Sequence, residues 1–107
     1  MGRNQKTIEV GDGFIQVRWT DYTTNGSARY QWFLRDSDSV VIDGGTELLL
    51  ARDVKPSASK ALIELMLGLR AGAIAGETTA AMEWAADNFV ELDHAIEHLS
   101  ADLGLQQ

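Results

Sequence analysis

The sequence predicts an α+β fold, with an antiparallel β-meander followed by two C-terminal α-helices packed on one face of the sheet. Before Pro56, the single proline in 107 residues, apolar residues recur at every second position, which is typical of strands with one buried face. After Pro56 they recur every three or four positions, which is typical of amphipathic helices. Turn-forming pairs such as Asn25-Gly26 separate the alternating segments.

The predicted meander covers about residues 7–52 and contains four or five strands. Alternation defines three of them, with apolar positions at Ile8 and Val10, at Ile15, Val17 and Trp19, and at Tyr30, Trp32 and Leu34. Val40–Ile42 and Glu47–Ala51 are the remaining candidates. Residues rich in glycine, aspartate and asparagine separate the strands at 11–13, 25–26, 36–39 and 43–45, and such residues favour tight turns.

The first helix is predicted over residues 57–72. Ser57 fits the N-cap position, and Gly72 fits a C-terminal stop. Apolar residues cover more than one side of this helix, at Ala58, Leu62, Ile63, Leu65, Met66, Leu67, Leu69, Ala73 and Ile74. We therefore expect it to be covered by both the sheet and the second helix.

The second helix is predicted over residues 78–101 and has a regular apolar seam. Its positions follow a three-four spacing, as in a coiled coil: Met82, Ala85, Phe89, Leu92, Ile96, Leu99 and Leu103. The flanking positions lack opposite charges that would pair across a dimer, so we expect the seam to pack against the first helix and the sheet. The alternative is a partner helix or a homodimer through Met82, Phe89, Leu92, Ile96 and Leu99.

Length and composition predict one soluble domain over residues 1–107. The absence of cysteine excludes disulfides, thiolate metal sites and a cysteine nucleophile. Residues 1–10 lack the apolar core of a signal peptide, and the longest apolar stretch, residues 61–69, is too short to span a bilayer. We expect a cytoplasmic protein that has no membrane contact and no cofactor.

The net charge of −7 is unevenly distributed along the chain. Residues 1–70 contain equal numbers of basic and acidic side chains, whereas residues 71–107 contain seven acids and neither lysine nor arginine. Such asymmetry bears on partners rather than on fold. It predicts a surface that repels nucleic acid and anionic membranes and attracts basic surfaces.

The outer face of the second helix is the first candidate site. Its members lie opposite the seam, and they are Glu83, Trp84, Asp87, Val90, Glu91, His94, Glu97 and His98. Like charges four residues apart cost a few tenths of a kcal/mol each. This face either aids solubility or docks on a basic surface of another protein. Trp84, at its margin, either anchors such an interface or folds under the edge of the sheet.

His94-Ala95-Ile96-Glu97-His98 matches the H-x-x-E-H pattern of inverted zinc metalloproteases. Two imidazoles one helical turn apart can share Zn²⁺, with Glu97 acting as a base on the bound water. The match covers only five residues, and both histidines lie on the predicted solvent side of the helix. We assign neither catalytic residues nor metal ligands, and a metal site or small metal-dependent enzyme using His94, Glu97 and His98 remains an alternative.

The outer face of the sheet is the second candidate site. It is expected to present Phe14, Arg18, Arg29, Phe33 and Arg35 beside Gln16 and Gln31. Phenylalanine and arginine suit a protein interface, and rings with arginines also suit single-stranded nucleic acid. The acidic total charge opposes nucleic acid. Alternatively, the arginines pair with neighbouring acids.

No motif identifies an enzymatic activity. The size and charge favour a small non-enzymatic protein that binds another protein. They suit an accessory protein of a phage or other mobile element, such as an inhibitor that docks on a basic surface. The alternatives are the metal-dependent enzyme and the single-stranded nucleic-acid binder described above.

Overall fold

A computed structural model describes residues 5–52 and 55–104 of the chain. Its elements are the strands β1 (Gln5–Val10), β2 (Gly13–Tyr22), β3 (Ala28–Asp36) and β4 (Val41–Leu49) and the helices α1 (Ala58–Ile74), α2 (Ala80–Asp87) and α3 (Phe89–Asp102). Neighbouring strands pair antiparallel in the order β1-β2-β3-β4. The α+β fold with a meander followed by helices is confirmed. Of the predicted domain, residues 1–4, 53–54 and 105–107 lie outside the described residues.

The predicted alternation gives the sheet its buried face. Ile15 pairs with Leu34, Val17 with Trp32 and Trp19 with Tyr30. Ile15, Val17, Tyr30 and Leu34 are fully buried in the core, together with α1 residues that include Leu62 and Met66. This inner face therefore binds the helices, and residues of the opposite phase form the outer face of the sheet.

The two predicted strands 40–42 and 47–51 belong to a single irregular strand, β4. Its register against β3 shifts twice, between Gln31 and Phe33 and again between Leu34 and Arg35. Gly44, expected within a turn, lies inside β4 with φ of 142° and so close to β3 that an added Cβ would overlap the Trp32 carbonyl oxygen. A glycine bulge explains the interruption of the sequence pattern without a turn.

Helix α1 begins as predicted but continues past Gly72. The Ser57 hydroxyl accepts a hydrogen bond from the Lys60 backbone N–H at 3.2 Å, which is an N-cap contact. Gly72 is buried against the Met82 side chain, so its role is close packing of α1 against α2. The chain turns away at Gly76, where φ is 76°, and the expectation of a stop at Gly72 is wrong.

The helix predicted over 78–101 is two helices, α2 and α3, which meet at Asn88. Thr79 caps α2 through its hydroxyl, which accepts from the Met82 N–H. Asn88 has φ of −119° and ψ of 31°, and its side chain donates to the Trp84 carbonyl and accepts from the Asp12 N–H. The prediction of two helices is therefore wrong, because contacts with the β1–β2 turn interrupt the second one.

The apolar seam continues across this junction and lies in the core. Leu92, Ile96 and Leu99 are buried, whereas Met82 and Phe89 are half-buried. The seam packs within its own chain, so its most apolar positions are already covered in this conformation. Among the helices of the described residues, none is long and apolar enough to cross a membrane.

Candidate protein-binding surfaces

The acidic face, as we call the exposed acids Glu83, Asp87, Glu91 and Glu97, extends along both α2 and α3. None of the four forms an ion pair with a basic residue in the described parts of the chain. Val90 lies among them and is 62% exposed. The face therefore combines uncompensated negative charge with one apolar side chain that contacts solvent.

Asp93 differs from the acidic face because Arg70 of α1 neutralises it. The Arg70 guanidinium donates to the Asp93 carboxylate, and both side chains are partly exposed. An ion pair at this exposure contributes at most about 1 kcal/mol to stability. Its main consequence is local: it joins α1 to α3 and removes one negative charge from the helical surface.

Trp84 lies inside the protein rather than on its surface. It is 7% exposed, and its Nε1 donates to an Asp12 carboxylate oxygen at 3.2 Å in the β1–β2 turn. Of the two predicted placements, the one under the sheet edge is correct. Trp84 thus positions α2 against the first hairpin, and Val90 is left as the apolar member of the acidic face.

The H-x-x-E-H residues do not form a metal centre together with neighbouring ligands. His94, Glu97 and His98 are all exposed on α3. Within residues 5–52 and 55–104, no group of three or more histidine, aspartate or glutamate side chains is arranged to hold a metal ion. His98 lines a groove beside Glu9 and Asp102, but the described side chains there are not arranged to hold a metal ion, so the geometry gives the metal-dependent alternative no support.

The second candidate surface is the outer face of the sheet. The strand register places Phe14 opposite Arg35, Gln16 opposite Phe33, and Arg18 opposite Gln31. The Arg35 guanidinium lies 5.5 Å from the centroid of the Phe33 ring, a cation–π contact. Both phenylalanines are half-buried. The predicted residues are therefore brought together on neighbouring strands, with the two rings diagonal to each other.

The arginines on this face differ in their partners. Arg29 lies between two carboxylates, with Nε 3.0 Å from Asp21 and an Nη atom 2.7 Å from Glu47. Arg18 donates to the Gln31 side chain at 3.1 Å. Neither Arg18 nor Arg35 forms an ion pair with an acid of the described residues. Pairing with neighbouring acids is thus correct for Arg29 only.

Sequence reasoning missed Val41 and Leu49 as members of the outer face. They pair with Arg35 and Arg29, and they are 47% and 49% exposed. The irregular register of β4 decides which of its side chains point outward, and alternation alone does not give that register.

Sequence reasoning also missed a groove of about 340 Å³ between β1 and α3. The residues that line it are Lys6, Ile8, Glu9, Ala95, His98, Leu99 and Asp102.

Comparison of the chain with protein-family models, with curated proteins and with solved structures finds no match.

Proposed function

We propose that this protein acts by binding another protein, with the acidic face of α2 and α3 docked on a basic surface of the partner. The observation that supports this most directly is that Glu83, Asp87, Glu91 and Glu97 are exposed and unpaired in the described structure. Opposite charges across an interface accelerate association and select the partner. An inhibitor or accessory protein of a mobile element is the type of role that such a surface suits.

The spacing of the acids favours a protein partner with a moderately charged surface. Residues four apart on a helix are about 6 Å apart along its axis, so Glu83 and Asp87 of α2 present charges about 6 Å apart, and Glu91 continues the face on α3. One strand of DNA presents a phosphate about every 3.4 Å. Per unit length of axis the acidic face therefore carries less charge than a DNA strand, and we expect its binding to depend on salt less steeply.

Two matched variants test this proposal. The face variant combines Glu83→Gln, Asp87→Asn and Glu91→Gln. The control variant combines Asp38→Asn, Glu64→Gln and Glu77→Gln, which are exposed acids away from the acidic face. Both change the net charge from −7 to −4, so a difference between them reports the position of the charge rather than its total.

The measurement is capture of partners from a lysate of the source cells at about 50 mM and about 500 mM salt. We expect one stoichiometric protein that the wild type and the control variant retain at low salt. The face variant and the high-salt wash are expected to lose it. A partner retained equally by both variants, or no stoichiometric partner at either salt concentration, contradicts the proposal.

A further inference from the structure

The outer face of the sheet is electrically neutral although the protein as a whole is strongly acidic. The register places three arginines (Arg18, Arg29 and Arg35) and three acids (Glu9, Asp21 and Glu47) on this face, so their formal charges cancel. The net charge of −7 therefore lies elsewhere. Two copies of the chain that approach through their outer faces meet without net repulsion between those faces.

Apolar side chains lie between these charges. Phe14 and Phe33 are half-buried on the two central strands, while Val41 and Leu49 on β4 are about half exposed. The helices of the described residues bury the inner face and leave this one uncovered. Aromatic side chains and arginines are enriched in protein interfaces relative to the rest of the surface.

We propose that the outer face is a homodimer interface, packed against the same face of a second copy. A two-fold contact requires a patch that complements itself, and this one has apolar side chains together with equal numbers of both charges. Asp21 and Glu47 already contact Arg29, whereas Arg18, Arg35 and Glu9 form no ion pair in the described structure. Glu9 of the second copy is therefore the acid of this face that pairs with Arg18 or Arg35. This inference uses a different surface from the proposed function and does not depend on it.

The area of the face sets the expected strength of the dimer. Four strands spaced about 4.8 Å and about 30 Å long cover roughly 570 Å² per copy. Two copies therefore bury roughly 1,100 Å² or somewhat more, at the lower limit of specific interfaces. We expect a reversible dimer with a dissociation constant of about 1–100 µM, since small interfaces are usually weak.

Sedimentation equilibrium between about 5 and 500 µM protein tests this dimer. The wild-type mass is expected to rise with concentration from 11.7 kDa towards twice that value. Phe33→Ser and Leu49→Lys are expected to raise the dissociation constant at least about tenfold. Ile74→Ser is the control, because Ile74 is 72% exposed but lies on α1, away from the sheet. Far-UV circular dichroism verifies that each variant is folded.

A mass of 11.7 kDa at every concentration overturns the proposal, and so does a dimer that both sheet variants leave unchanged. Leu49→Lys is the safer of the two, because Leu49 is half exposed and its replacement leaves the core intact. A fluorescent oligodeoxythymidine is titrated in parallel. If the oligodeoxythymidine binds the wild type but not Phe33→Ser, and the wild type stays monomeric, the outer face is a nucleic-acid surface instead.

Discussion

Gly11 and Asn88 are separated by 77 positions in the sequence, yet their contact lies where the helical half of the chain bends. Gly11 is in the left-handed region with φ of 58°, and a Cβ added to it would overlap the Asn88 amide. The same amide accepts from the Asp12 N–H at 3.4 Å and donates to the Trp84 carbonyl at 3.0 Å. A residue without a side chain is therefore required where the first hairpin meets α2 and α3.

Gly11→Ala is expected to lower the free energy of unfolding by about 2–4 kcal/mol. Left-handed backbone costs alanine about 1–2 kcal/mol, and displacing Asn88 adds the loss of its buried hydrogen bonds. Gly76→Ala is the control, because Gly76 has φ of 76° but open space around its Cβ position. Urea unfolding measures both. If the two variants lose the same free energy, the contact with Asn88 contributes nothing.

At the scale of elements, α1 contains two glycines in contrasting surroundings. Gly68 has nothing within 4 Å of its Cβ position, whereas a Cβ on Gly72 would lie 2.6 Å from three side-chain atoms of Met82 in α2. Both lie inside the helix, where glycine is about 1 kcal/mol less favourable than alanine. Gly68 therefore weakens α1 without a packing reason, while Gly72 permits α1 and α2 to approach closely.

We expect Gly68→Ala to raise the free energy of unfolding by about 0.5–1 kcal/mol. Gly72→Ala gains the same helix propensity but must displace Met82, so it is expected to be neutral or destabilising by up to about 2 kcal/mol. Urea unfolding of the two variants gives the comparison directly. An equal gain from both would mean that Met82 moves aside freely and that Gly72 has no packing role.

These elements also indicate how far the sequence predicts the fold. Alternation located the core positions of β2 and β3, and Ser57 and Thr79 start their helices close to the predicted residues, because caps and periodicity are local signals. The break at Asn88 was missed because the seam spacing continues through it. Its cause is a contact with the β1–β2 turn, and a contact this distant along the chain leaves no periodic signal.

The candidate surfaces were predictable to a similar extent. Helical periodicity placed Glu83, Asp87 and Glu91 correctly on the solvent side. It left Trp84 undecided, because only the hydrogen bond to Asp12 shows which way the indole points. The pairing of Arg70 with Asp93 was not predicted, since it joins separate helices. Membership of an exposed face follows from local pattern, while partners across elements require the tertiary structure.

For the whole molecule, the distribution of charge matters more than its sum. Asp87 has a like charge, Glu83, four residues before it on α2, and it has no basic partner among the described residues. Glu64 on α1 has Lys60 four residues before it. Removing either acid changes the net charge from −7 to −6, so total charge predicts the same effect for both and local charge predicts opposite effects.

Asp87→Asn is expected to raise the free energy of unfolding by about 0.2–0.5 kcal/mol at low salt, because its like-charge pair with Glu83, four residues before it on α2, costs about that much. Glu64→Gln is expected to be neutral or slightly destabilising. The gain from Asp87→Asn should disappear near 1 M salt, where screening reaches about 3 Å. Urea unfolding at about 10 mM and about 1 M salt makes the comparison. An equal gain in the free energy of unfolding from both variants would attribute the effect to net charge alone. A gain confined to Asp87→Asn means that the acidic face lowers stability. Such a cost is consistent with a surface that serves binding rather than folding.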